Sequence, residues 1–365
     1  MKKNIITTII FAVLVFGISA LCIFNPSPQF SQSERRELAS FPKVSANTIA
    51  DGSFMSDFET YATERFPFRD FFRSIKANFV TKVFMKKDNN GLFMADGHIS
   101  KIDGEKNPAM MDHAGERFYY LYETYIKGKT DNVYFSVIPD KNFLLAEKNG
   151  YPSLDYVTFI DEMKQKVNYM KYIDVTSLLD IDDFYNTDTH WRQEKITDIA
   201  EKIGEEMGAD VTAEYKENVL DKPFYGVYSG QLAMDFPHDE IVYLTNETLD
   251  NATVTYYGNG IPEKGEMYNM KKASGKDPYE MFLSGTMPVL TIENSNAKTD
   301  RELIMFRDSY GSSLAPLLAS GYKKITLVDT RYIKSEAVGS FADFNNADVL
   351  FIYSTTLLNN SLAIR

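Results

Sequence analysis

An Asp two residues before a His, and a Ser far downstream beside a Gly, are the parts from which a relay for acyl transfer is built. They lie in FYNTDTHWRQEK, residues 184–195, and FRDSYG, residues 306–311. A carboxylate bonded to one imidazole nitrogen fixes the ring tautomer, and the other nitrogen can then take the proton of a hydroxyl nucleophile. In that reading Asp188 orients, His190 is the base and Ser309 is the nucleophile. Residues two apart diverge on a helix, but on a turn or an extended entry both can face one cleft. A structural role competes at both places. Asn186 or Asp188 could cap the helix that follows, and Asp308 or Ser309 could cap the next one.

The elements around these residues decide whether they can meet. LIMFRDSYGSSLAPLL reads as strand, tight turn and helix, which sets Ser309 at the carboxyl edge of a parallel sheet, where open α/β folds hold their ligands. Backbone N–H groups of the following helix turn would then face a developing oxyanion. Upstream, NVYFSVIP (132–139) and IDVTSLL (173–179) read as strands, with helices over 109–128 and 153–172. A helix with Ile196, Ile199, Ile203 and Met207 on one face follows the DTHW stretch. Further strands are ELIMF (302–306), KITLVD (324–329) and DVLFIY (348–353). Such alternation predicts a mostly parallel sheet covered by helices on both faces. Both junctions then open on the same edge. Residues 210–300 differ, being rich in Tyr, Asn, Gly and Thr, and read as a β-rich insertion. Before the sheet, residues 54–84 read as two helices broken at Pro67, and NGLFMADGHI as a hairpin turning at Asp96-Gly97.

Composition excludes classes more than it selects one. The 365 residues carry 39 Lys and Arg against 51 Asp and Glu, a net charge of −12, so a phosphate backbone is repelled and nucleic acid is not an expected partner. Residues 5–24 are uncharged and long enough to span a bilayer after the basic start MKKN, which predicts an uncleaved anchor with the rest of the chain outside. The chain then divides into a cytoplasmic stub 1–4, an anchor 5–24, a linker 25–50 and an extracytoplasmic domain 51–365. Cys22, the single cysteine, falls inside the anchor, so the exported part has no disulfide and no thiol nucleophile. His98, His113 and His238 have no His or Glu at ligand spacing, and neither a metal nor another cofactor is expected.

NTDTHW, FRDSYG, VDTRY (328–332) and VIPDKN (137–142), in this arrangement, resemble the DHHW family of Gram-positive bacteria; SERRELASFP and SGYKKITLVDTRY fit it as well. That family is similar to the alginate O-acetylation proteins, whose SGNH-hydrolase-like domains carry the Asp-His motif before the Ser. The resemblance implies an SGNH-like three-layer α/β sandwich with permuted motif order, and matches Asp188, His190 and Ser309 to the family's Asp, His and Ser. Thr189 holds the second position, where the family name has His, and lies outside the relay. The implied reaction is transfer of an acetyl group to or from an envelope or extracellular polysaccharide, with a membrane-bound O-acyltransferase as donor partner. Ser309 N–H is one oxyanion donor on this reading, and the glycine and asparagine oxyanion motifs usual in SGNH enzymes are not recognisable. Arg331 and Tyr332 follow a strand end on the same edge and are candidate substrate contacts, as is Lys141; each also reads as a surface loop residue. The competing functions are a scaffold that binds a polymer or the acyltransferase, a plain esterase, and a sensor ectodomain.

Overall fold

The computed structural model describes residues 2–24, 28–297 and 299–365, so Met1 of the expected stub and the first three linker residues lie outside it. The described chain forms two compact units, Met1–Phe93 with Val227–Phe236, and Met94–Gly226 with Pro237–Arg365.

In the first unit, helix α1 covers Lys2–Phe24, and its Lys3–Phe24 stretch is a candidate membrane span by length and composition. The expected linker is not featureless. Phe30–Ser31 pairs with Arg36–Glu37, and Ser45 caps a short helix at Ala46–Ala50. Helix α2, Ser53–Glu64, stops ahead of Pro67, and α3, Arg69–Asn78, starts after it. Phe68 between them takes a positive φ of 58°. Glu34 forms ion pairs with Arg69 at 2.5 Å and with Arg73 at 3.3 Å, tying the short ladder to α3.

The second unit is built on one eight-stranded sheet. Its strands are β1 (Val133–Ile138), β2 (Lys171–Tyr172), β3 (Thr253–Tyr256), β4 (Glu263–Lys264), β5 (Val289–Glu293), β6 (Glu302–Arg307), β7 (Lys324–Val328) and β8 (Asp348–Ser354). Their spatial order is β4-β3-β5-β7-β6-β8-β1-β2. From β7 to β2 neighbours run parallel, whereas β4, β3 and β5 extend the sheet antiparallel. The longer helices are α4 (Pro108–Leu121), α5 (Tyr156–Lys166), α6 (Thr197–Met207) and α7 (Tyr310–Leu318).

Both faces of the parallel strands are buried, so these strands read as continuous apolar runs. Their alternate residues divide between two cores. Leu303, Met305, Leu350 and Ile352 pack with Ile199 and Ile203 of α6 and Leu314 of α7. Ile304, Phe306, Val349 and Phe351 pack with Phe118 of α4 and Phe159 of α5. The result is a three-layer α/β/α sandwich.

Three sequence expectations change. The run 173–179 is not a strand: β2 ends at Tyr172, because Asp174 Oδ1 accepts from the N–H and hydroxyl of Thr176 and turns the chain. Helix α5 begins only at Tyr156, capped by Asp155. The β-rich stretch 210–300 is partly an extension of the central sheet, through β3, β4 and β5, and residues 227–236 go with the first unit.

Candidate active site

The turn after β6 sets Ser309 at the carboxyl edge of the sheet. Asp308 makes that turn: its Oδ1 accepts from Tyr310 N–H at 3.0 Å, and its Oδ2 accepts from Ser354 N–H at the end of β8, at 2.8 Å. Ser309 itself caps nothing with its side chain. Gly311 fits because a Cβ there would stand 2.6 Å from Arg307 Cβ, closer than side chains pack.

Asp188 and His190 do not sit at a strand-to-helix junction. Helix α6 starts nine residues beyond Asp188, at Thr197, without a side-chain cap, so neither Asn186 nor Asp188 caps it. They ride instead on a long loop after β2, pinched by a bridge between Phe184 and Trp191. Its grip comes from several directions. Asp239 accepts from the N–H groups of Asn186 and Thr187 and from the Thr187 hydroxyl, at 2.8, 2.8 and 2.5 Å. Trp191 Nε1 donates to Tyr310 O at 3.0 Å and to Ser313 Oγ at 2.9 Å, fixing the loop to α7. Gly226 lies so close that a Cβ would meet Thr187 O at 2.2 Å, which no other residue tolerates. The Tyr185 ring fills a third apolar cluster with Phe224 and Tyr279.

Held this way, three side chains form one hydrogen-bonded line. Asp188 Oδ1 lies 2.6 Å from His190 Nδ1, and His190 Nε2 lies 2.8 Å from Ser309 Oγ. Asp188 is 2% exposed, so its charge acts in a poorly solvated place. The same Oδ1 accepts from His190 N–H, at 3.2 Å, tying ring and backbone to one carboxylate. Tyr279 stacks on the imidazole with centroids 3.9 Å apart and planes within 9°. Its hydroxyl bonds Ser313 Oγ at 2.9 Å. With Nδ1 donating to the carboxylate, Nε2 is free to accept the Ser309 proton, the geometry that activates a hydroxyl.

The first helix turn is a poorer oxyanion cradle than its sequence implies. Tyr310 N–H is taken by Asp308 Oδ1, Gly311 N–H by Asp308 O and Ser312 N–H by Ser309 O. Ser309 N–H is left as the candidate donor on this turn.

Ser309 opens into a recess of about 580 Å³, lined also by Thr189, Arg331, Tyr332, Ser354 and Asn360. Arg331 and Tyr332 are thus at the opening. Arg331 is clamped by Asp329, with Nε to Oδ1 at 2.9 Å and Nη2 to Oδ2 at 2.7 Å. Burial works against its charge, but Asp329 outweighs burial and holds the guanidinium above its usual pKa.

Lys141 is neither a solvated turn residue nor at the recess. It is 1% exposed, and its Nζ donates to Tyr185 O at 2.7 Å, bracing the loop from beneath. The turn is pulled inward by its neighbour: Asp140 accepts from Asn142 N–H, Tyr156 OH and the Thr355 hydroxyl. Burial pushes Lys141 down to about 7, against the pull of Asp188, Asp239 and Asp140. Its folded pKa therefore lies below its unfolded one, and between about pH 7 and 10 the folded state binds fewer protons. Stability from this residue should rise with pH across that window. The wild type minus Lys141→Met difference in unfolding free energy should grow by a few kcal/mol from pH 7 to 10 in denaturant titrations. A flat difference would mean that Lys141 stays charged.

Tyr279 and Asp239 carry no local spacing that marks them, and the sequence reading missed both. Each comes from the β-rich stretch and reaches the relay only through the fold.

No family model and no curated protein matches the chain. Among solved structures, a DHHW family protein from Eubacterium siraeum superposes with a TM-score of 0.62 at 22% identity, over 76% of this chain and 95% of that one. Bacillus cereus PatB1 with a sulfonyl adduct superposes at 0.59 with 20% identity, over 73% of this chain and 95% of its own. At these identities the likeness is one of fold, and the resemblance read from the motifs meets a solved DHHW family structure.

Proposed function

We propose that this protein is a serine-dependent O-acyltransferase of the cell envelope, held to the membrane by α1 and acting on a polysaccharide hydroxyl. The observation that carries the reading is the unbroken line from Asp188 through His190 to Ser309 Oγ at the mouth of a recess. Ser309 Oγ attacks the ester carbonyl of an acyl donor while His190 Nε2 takes its proton. The tetrahedral intermediate collapses as that proton passes to the departing alcohol, leaving acyl-Ser309. An acceptor hydroxyl, its proton removed by His190, then attacks the acyl-Ser309 carbonyl and restores the serine. Asp188 stabilises the imidazolium in both half-reactions. Acetyl is the acyl group, and a membrane-bound O-acyltransferase is its supplier, on the motif resemblance to the DHHW and alginate O-acetylation proteins.

An activated serine reacts with sulfonyl fluorides, and PatB1 carries a sulfonyl adduct in its solved structure. Phenylmethylsulfonyl fluoride should label Ser309 of the wild type and stop turnover of a chromogenic acetyl ester. Peptide mapping should find His190→Ala labelled at least about tenfold more slowly. Labelling elsewhere, or equal labelling of the variant, would refute the reading. Turnover unaffected by added polysaccharide would leave a plain esterase.

A further inference from the structure

Helix α3 has its amphipathicity inside out. The side chain it buries is Ala77, while Phe71, Phe72 and Ile75 face solvent. The stripe runs on through the π turn at Phe79–Val83, so that Phe68, Phe71, Phe72, Ile75, Phe79 and Val83 recur at three- and four-residue steps and Phe84 and Met85 close it. All eight are between 40% and 78% exposed. Beside them, Phe58, Phe66 and Phe72 line a recess of about 1220 Å³ between α2 and α3. Soluble surfaces scatter apolar residues singly; a stripe of this length marks a covered surface.

Charge identifies what covers it. Residues 69–87 hold six Lys or Arg against one Asp, a net of +5 in a chain whose total is −12. Lys76, Lys82, Lys86 and Lys87 are exposed along the stripe. An apolar, aromatic-rich face fringed by lysines is the pattern of a helix lying in a headgroup layer, with lysines at the phosphates. A protein partner would not require this cationic fringe. The chain supplies proximity as well: 43 residues separate Phe24, the end of α1, from Phe68, so the stripe is tethered to the bilayer that α1 would cross.

We propose that the segment Phe68–Lys87 lies flat in the anionic headgroup layer of the membrane that α1 spans, as a second point of attachment. This rests on the anchor reading above and not on acyl transfer. The full-length chain, with Cys22→Ser, is reconstituted in vesicles of phosphatidylglycerol and phosphatidylcholine and labelled with an environment-sensitive dye. The dye sits at Phe71→Cys, Phe79→Cys or, as a control on exposed Glu205 of α6, Glu205→Cys. Lipid-borne doxyl groups should quench positions 71 and 79 at least about twofold more than 205, and Lys82→Glu with Lys86→Glu should remove about half of that difference. All three cysteines replace exposed side chains, and circular dichroism checks the fold. Equal quenching at the three positions overturns the proposal. Shielding of 71 and 79 from both lipid doxyl and aqueous iodide overturns it too, in favour of a protein partner or a second copy. A dye on native Cys22 reports insertion of α1: insertion without quenching at 71 and 79 sinks the proposal and leaves the anchor standing.

Discussion

Ser309→Ala is expected to lower acyl-transfer turnover at least about 10³-fold while leaving the unfolding midpoint near that of the wild type. The two halves of that result have separate causes. Ser309 Oγ is the only atom the substitution removes, and its bond is to His190 Nε2. The capping of α7 is done by Asp308, so its start survives. Asp188→Asn keeps the volume of a side chain that is 2% exposed but loses its charge and its acceptor-only character. An amide can hold the ring in the wrong tautomer, with Nε2 carrying the proton, so a loss of about 10²–10⁴ in kcat is expected. Ester turnover measured beside thermal unfolding checks both. A Ser309→Ala variant that keeps a tenth of wild-type turnover would remove the serine from the mechanism.

The second large effect is on stability. Asp329 is fully buried at the end of β7 and faces two guanidinium groups: Arg331, which it clamps, and Arg307, whose Nη1 lies 3.5 Å from its Oδ2. Arg307 is 1% exposed, and burial already pulls its pKa below the usual value while Asp329 opposes that. Asp329→Ala removes the countercharge of a buried cation, a change that costs about 3–5 kcal/mol. For a unit of this size the melting temperature should fall by about 10 °C. The Arg307→Met/Asp329→Leu double variant should recover part of that loss, because the fully buried Arg307 charge is then gone with its partner, while Arg331 still loses Asp329. Calorimetry of the three proteins measures the loss and its recovery. A single variant that melts with the wild type would show that Arg307 is compensated by its bonds to Ser312 Oγ, Asp308 O and Gly285 O without Asp329. Because Asp329 also holds Arg331 at the recess, ester turnover should fall with stability.

Local order was legible because it rests on periods that neighbouring residues repeat. ELIMF, KITLVD and DVLFIY are apolar on both faces, which only a strand buried between two layers requires, and they became β6, β7 and β8. The N-terminal helix was equally plain, since the apolar run 5–24 is its whole signal; it lies within Lys3–Phe24, a candidate membrane span by length and composition. The segment 173–179 was misread because its apolar residues suit a strand, while Asp174 bonding forward to Thr176 is a local competitor stronger than β-propensity.

For the candidate site, the sequence by itself determined which side chains have the chemistry: an Asp-x-His, and a Ser beside a Gly after a strand. It also determined that Ser309 stands at a sheet edge, because the strand and helix flanking it are both local. Tertiary structure alone decided that His190 reaches Ser309. The two are 119 residues apart, and the loop bearing His190 has no period of its own. Its path is set by Asp239, Trp191, Lys141 and the close approach of Gly226, contacts between segments distant in sequence. The same holds for Lys141. In the sequence it is a charged residue after a Pro-Asp turn, and such residues are solvated unless something buried needs their proton. Here the carbonyl of Tyr185 takes that hydrogen bond, Asp140 is bonded to Tyr156 and Thr355, and Lys141 is left 1% exposed. Periodicity reports the environment a residue shares with its chain neighbours. Hydrogen bonds that close long loops depend on where other segments end, and that is written only in the fold.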